Sequence, residues 1–268
     1  MSPSRLTDTS VRRKPKLAIW KFSSCAGCQL SLLDCEDDLL AVLGAVELVR
    51  FPGIGRGEVR GSYDISLVEG SIATPDDIER IKKIRKHSKT LIAIGACATA
   101  GGIQAVRNFR DVRGMIDAVY ARPDDVDVLV TSTAIRDHAP LDGEVRGCPI
   151  DKHQLLEALN ALLNGRRANL STASVCLDCK RAGTVCVMVA GGTPCLGPVV
   201  QAGCGALCPR HGRGCYGCFG PKELPNTVAM AARMAELGLS RQDVGLAFRS
   251  FNANAEPFRR EGDRHDRR

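Results

Sequence analysis

Apolar and polar positions along the first 165 residues switch between two periods, and the switching predicts a layered α/β domain. Leu17–Phe22 is a short apolar run that reads as a first strand. From about Gln29 to Leu43 the period lengthens, and Leu32, Leu39 and Leu43 share one helical face. Ala45–Phe51 reads as a second strand, and Asp64–Val68 as a third that ends at Glu69-Gly70-Ser71. Thr74-Pro75-Asp76-Asp77 starts a helix, with Thr74 as N-cap and Pro75 at the first position, running to about His87. Thr90–Gly95 is apolar throughout, as a strand covered on both faces should be. Asp127–Thr131 reads as a fifth strand, and Leu155, Leu156, Leu159, Leu162 and Leu163 mark a helix behind an N-cap at Asp151. Strands alternating with helices predict a parallel sheet, here in a flavodoxin-like order over residues 17–165.

The periodicity stops near Gly165–Ser171. Residues 170–225 are rich in Cys, Gly and Pro and predict irregular loops held by metal rather than by a core. A helix over about Asn226–Leu237 follows, and the rest, to residue 268, reads as a charged tail. Residues 1–16 read as a disordered N-terminal tail.

Charge changes the picture less than its size suggests. The formal net charge is +7, which raises nucleic acid or an anionic membrane as partners. Much of the arginine sits at the chain ends, and neither a motif nor aromatic interleaving supports nucleic-acid binding. No stretch approaches a membrane span. Arg12-Arg13 is followed by Lys14-Pro15-Lys16 and only six strand-like residues, so the long apolar stretch of an export signal is missing. The expected location is the cytoplasm, where thiols stay reduced and cysteine sets point to metal rather than disulfides.

There are 13 cysteines. Cys25, Cys28, Cys97 and Cys148 each follow a predicted strand, at the carboxyl edge where open α/β sheets build their sites. Eight more crowd the tail as Cys176-x2-Cys179-x6-Cys186-x8-Cys195 and Cys204-x3-Cys208-x6-Cys215-x2-Cys218. Twelve thiols in three fours is the ligand count of three iron–sulfur clusters. Three [4Fe–4S]²⁺ groups with thiolate ligands carry about −2 each, which offsets roughly six of the positive charges. The competing readings are a thioredoxin-like Cys25–Cys28 redox pair, structural zinc sites, and buried apolar thiols at Cys97 and Cys148. Cys35 shares the face of Leu32 and Leu39 and reads as a core thiol.

Cys25-Ala-Gly-Cys28, Val68-Glu69-Gly70-Ser71-Ile72, Gly95-Ala96-Cys97-Ala98-Thr99-Ala100-Gly101-Gly102 and Gly147-Cys148-Pro149 resemble the motifs of [NiFe] hydrogenase small subunits, over about residues 15–220. The resemblance implies a proximal [4Fe–4S] cluster on Cys25, Cys28, Cys97 and Cys148, facing a Ni–Fe centre in a separate large subunit. It implies a distal cluster on Cys176, Cys179, Cys186 and Cys195, and a medial one on Cys204, Cys208, Cys215 and Cys218. Cys195 and Cys204 could trade places. In the family a His often opens the distal set and a Pro often interrupts the medial one. Cys176 and Cys208 stand at those places here, which implies three [4Fe–4S] clusters, with His211 near but not needed. Glu69 corresponds to an acid beside the proximal cluster, for proton handling or plain hydrogen bonding.

All-cysteine sets without an export signal resemble the cytoplasmic, multi-subunit members, of the sulfhydrogenase delta and NADP-linked bidirectional type. The expected partners are the large subunit and Fe–S/flavin diaphorase subunits that reduce NAD(P) or a related acceptor. Deazaflavin- and heterodisulfide-linked relatives fit as well. This chain has no P-loop and no dinucleotide G-x-G-x-x-G placed after a strand. Arg213-Gly-Cys215-Tyr-Gly-Cys218 matches one nickel-binding pattern, but the D-P-C-x-x-C that completes it is absent, so the nickel is expected in another chain. The alternatives are the related 20 kDa quinone-reductase (complex I) subunit, whose adjacent first cysteines differ from the Cys-x-x-Cys here, and a zinc-stabilised binding module.

Overall fold

The computed structural model describes residues 13–52 and 61–266. Five parallel strands form one sheet in the order β2-β1-β3-β4-β5: β1 is Lys16–Lys21, β2 Glu47–Arg50, β3 Tyr63–Glu69, β4 Ser88–Ile94 and β5 Gly143–Val145. This is the flavodoxin-like order. Neighbouring side chains on a strand face opposite ways, so β1 feeds two cores. Leu17 and Ile19 join Leu67, Ile92 and Ile94 on one face, while Ala18 and Trp20 join Val68, Leu91 and Ala93 on the other.

The first face is covered by α1 (Gly27–Leu33), α2 (Asp37–Ala45) and, further along the chain, the helix Lys152–Leu163. The expected single helix from Gln29 to Leu43 is two, because Glu36 takes a left-handed backbone at φ 48° and breaks the run. Cys35 lies at that break and is buried. Helix α3 (Pro75–His87) covers the other face through Ile81 and Ile84. It starts as the sequence predicts: Thr74 accepts from the Asp77 N–H, and the Asp77 carboxylate accepts from the Thr74 N–H.

Helix α4 (Gly95–Ala100) follows β4 without a loop, and α5 (Val112–Val119) lies beyond a 3₁₀ segment over Ile103–Phe109. The expected fifth strand at Asp127–Thr131 is not one. That run is irregular and bends at Val130 and Thr131; Leu129 N–H donates to Ala73 O outside the sheet, and Val130 is exposed. The sheet position goes instead to Gly143–Val145, opposite Ile92–Ile94. Three residues containing Gly and Glu give no strand pattern. Lys152–Leu163, now α6, begins where Asp151 caps the Gln154 N–H.

Helices beyond residue 170 are short at first: α7 (Val175–Arg181), α8 (Val187–Gly191) and α9 (Leu207–Arg210). Longer ones follow as α10 (Thr227–Glu236), α11 (Arg241–Phe248) and α12 (Glu256–His265). The expected charged tail thus contains two further helices. Phe248 and Phe258 are fully buried and meet edge to face at 5.6 Å. Around them Met230, Met234 and Val244 join Val175, Leu196, Val199, Cys195 and Cys215 in one cluster. The cysteine-rich part therefore does own a hydrophobic core, contrary to the sequence expectation. The core was hidden because α12 supplies one apolar side chain to it from an otherwise charged helix. Arg249, stacked 4.2 Å over Phe109, and Arg146, donating to Pro221 O at 2.7 Å, tie the two parts together.

Among the described residues no helix is long and apolar enough to cross a membrane.

Candidate metal centres

Strand register brings the first four cysteines to one rim. Lys21 pairs with Glu69, Glu69 with Ile94, and Ile94 with Val145, so the last residues of β1, β3, β4 and β5 form a row. Every turn leaving that row starts at the same height. Cys25 lies in the turn after β1 and Cys28 on the first turn of α1. Cys97 is on the first turn of α4, directly after β4. Cys148 lies between β5 and the cap of α6.

Two glycines make the approach possible. Gly95, at φ +85°, has no Cβ, and any side chain there would run into Cys28 Sγ. Gly102, at φ +64°, lies where a Cβ would come within 2.5 Å of Cys97 Sγ. Backbone donors point inward as well: the Gly27 N–H donates to Cys25 Sγ at 3.4 Å, and the Ile150 backbone hydrogen-bonds Cys28. Backbone N–H groups aimed at sulfur stabilise thiolate charge on a cluster ligand.

Burial pushes the Cys28 thiol up to about 12, with Glu69, Cys97 and Cys148 adding negative charge. Burial likewise raises Cys97 to about 11, and Cys148 and Cys25 lie within its electrostatic reach. A bound metal ion deprotonates such buried thiols outright.

Glu69 is buried at 1% exposure, and Gln29 Nε2 donates to its Oε1. Burial pushes this carboxyl above its ordinary value, against the lowering hydrogen bonds of Gln29 and Ser24. Gln29 and Gln104, which contacts Cys97, were not singled out from the sequence; uncharged and outside the cysteine motifs, they give no signal before the loops close.

The other eight thiols form two neighbourhoods. A Cβ on Gly197 would lie 3.3 Å from Cys195 Sγ and 3.6 Å from Cys176 Sγ. Cys176 and Cys179 both feel Cys186 and Cys195, and burial raises both thiols, Cys179 to about 11. Cys208, Cys215 and Cys218 each feel Cys204, and burial raises all three, Cys218 to about 12. Cys204 is not among the charges felt by Cys176 or Cys179. Cys195 touches both neighbourhoods, because its Sγ accepts the Cys215 N–H at 3.1 Å. Cys218 in turn feels Cys148 of the first set and is hydrogen-bonded by the Cys148 backbone. Cys186, like Cys25, is exposed. Among the described residues, no group of three or more His, Cys, Asp or Glu is placed to hold a single metal ion.

The structure thus has a rim of thiols on a flavodoxin-like sheet, continued by a thiol-lined extension. A family model described as NADH ubiquinone oxidoreductase, 20 Kd subunit, matches residues 25–162 and ends before the eight later cysteines. Sulfhydrogenase 2 subunit delta of Pyrococcus furiosus is 33% identical over 88% of this chain and 98% of its own length. The delta subunit of the NAD-reducing hydrogenase HoxS of Cupriavidus necator is 27% identical over 60% of this chain and 84% of its own length. The structure of an NAD⁺-reducing [NiFe]-hydrogenase in the H2-reduced state contains a chain that superposes with a TM-score of 0.55 at 27% identity, covering 59% of this chain and 96% of that one. The chain belongs to the family of [NiFe] hydrogenase small subunits and is an electron-transfer subunit.

Proposed function

We propose that the twelve thiols hold three [4Fe–4S] clusters: proximal on Cys25, Cys28, Cys97 and Cys148, medial on Cys204, Cys208, Cys215 and Cys218, and distal on Cys176, Cys179, Cys186 and Cys195. The observation that carries this reading is the unbroken run of neighbours. Cys148 reaches Cys218, and Cys215 reaches Cys195, so the first set adjoins the medial set and the medial set adjoins the distal one. Clusters so placed supply one-electron relay between a Ni–Fe site in the large subunit and an Fe–S/flavin partner reducing NAD(P) or a related acceptor.

The chain's own residues hold, orient and tune. The glycines admit sulfur close to backbone, and the N–H groups stabilise thiolate. Glu69, tied by Gln29, holds a proton or a charge beside Cys28. The reading also places the protein in the cytoplasm, as the all-cysteine sets suggest.

Iron and acid-labile sulfide analysis of anaerobically purified protein tests the count: about twelve irons per chain are expected, against none for a zinc-stabilised module. Cys97→Ser is expected to abolish hydrogen-driven acceptor reduction in the assembly while leaving the partner's diaphorase activity. Unchanged hydrogen-driven reduction in that variant would overturn the proximal assignment.

A further inference from the structure

Gln104 sits in an unusual place. Its Oε1 lies 3.3 Å from Cys97 Sγ, and its Nε2 donates to Ser23 O at 2.7 Å. It thereby joins the turn after β4 to the turn after β1, the two turns that carry Cys97 and Cys25. Gly102 leaves room for the contact, since a Cβ there would press on both Cys97 Sγ and Gln104 Oε1.

As drawn, the pair works only while Cys97 is a thiol, because Oε1 needs a hydrogen to accept. A cysteine that ligates iron is a thiolate and has none to give. An amide oxygen facing that sulfur would be two acceptors in contact. The same carboxamide turned over presents Nε2 to the sulfur instead, and N–H to thiolate is a charge-assisted bond. Turning over also brings Oε1 toward Ser23 O, so the carboxamide has to swing away from that carbonyl, which keeps the Ser71 N–H at 3.0 Å as its donor. No competing side-chain donor to Cys97 exists among the described residues' hydrogen bonds to it.

Resting on the cluster reading above, we propose that Gln104 sets the reduction potential of the group held by the first quartet, donating its carboxamide N–H to Cys97 Sγ. Reduction adds negative charge to the sulfurs, and a donor at sulfur favours the reduced form. Gln104 is thus a positioning residue and acts only through Cys97.

The test is a redox titration followed by electron paramagnetic resonance, on the anaerobically purified assembly, comparing wild type, Gln104→Met and Gln104→Glu. Gln104→Met keeps the length but has no donor; Gln104→Glu replaces the donor with an acceptor. The first-quartet signal is expected to become harder to reduce in Gln104→Met by about tenfold in the equilibrium constant, which is about 59 mV for one electron. Gln104→Glu should move it at least as far, with the other two signals and the iron content unchanged. An unmoved potential at full iron content overturns the proposal. Loss of this one cluster from both variants also overturns it, by assigning Gln104 to tethering the two turns. Failure of the cluster reading itself looks different: the wild type would then lack iron and any paramagnetic signal.

Discussion

The two halves of this molecule place cysteines by opposite means. In the α/β half, sheet register does the placing: the row Lys21–Glu69–Ile94–Val145 is set by backbone pairing and supported by apolar clusters on both faces. In the second half the cysteines are themselves part of the packing. Cys195 and Cys215 are members of its buried cluster, and Cys179, Cys204 and Cys218 pack against it. The helices between them, α7, α8 and α9, have seven, five and four residues. Helices that short do not persist alone in water. One half is therefore a scaffold to which ligands are attached, and the other is a scaffold completed by its ligands.

Metal removal should separate the halves most sharply. After anaerobic chelation of iron, amides between Cys176 and Cys218 are expected to exchange at close to unfolded rates, while those of β1, β3 and β4 stay protected. Exchange followed by mass spectrometry reads both in one sample. Uniform protection, or uniform loss, would erase the contrast.

A smaller effect tests whether the second half depends on metal alone. Phe258 is 1% exposed and closes the cluster of α10, α11 and α12. Phe258→Ala is expected to cost about 3–5 kcal/mol in the metal-loaded protein, the range for truncating a buried aromatic. Denaturant unfolding, with the loss of cluster absorbance as the probe, measures it. A change under about 1 kcal/mol would mean that the ligand shell needs no help from the helices packed on it.

What the sequence disclosed follows the same division. The first four strands, α3 with its capping box and α6 with its Asp151 cap are local signals, and each was legible to within a few residues. β5 was not, because Gly143–Val145 joins the sheet only through its neighbour β4, and the more strand-like Asp127–Thr131 pairs elsewhere. That Cys25, Cys28 and Cys97 follow strands was legible, whereas Cys148 follows Gly143–Val145 and not the expected Asp127–Thr131. Gln29 and Gln104 were not legible, since their contacts span 40 and 81 residues of sequence. In α12, buried Phe258, Glu261 and Gly262 form too narrow a stripe for periodicity to reveal. Thr227 Oγ1 donates to Glu261 there at 3.0 Å, so part of that buried face is polar by design of the contact.

The smallest effect concerns the cost of the acid at the rim, and it belongs to the α/β half alone. Burial raises the folded-state pKa of Glu69 above its ordinary value. Below the ordinary glutamate range both folded and unfolded chains hold the proton, and the residue costs nothing. As pH rises through the window up to the folded-state value, the unfolded chain gives up its proton first, so stability falls. Above that window the cost is constant. Glu69→Gln keeps an amide oxygen for Gln29 and removes the titration. The two proteins should therefore unfold at similar urea concentrations at about pH 4, with the variant pulling ahead as pH rises. Trp20, the only tryptophan, is buried in the α/β half and donates to Ser66 Oγ, so its fluorescence reports this half without interference from the other. Iron-free protein serves here, because this half is expected to stay folded without metal. A gap between the two midpoints that is independent of pH would show that Glu69 contributes packing only, and that its charge is compensated in place by Gln29 and Ser24.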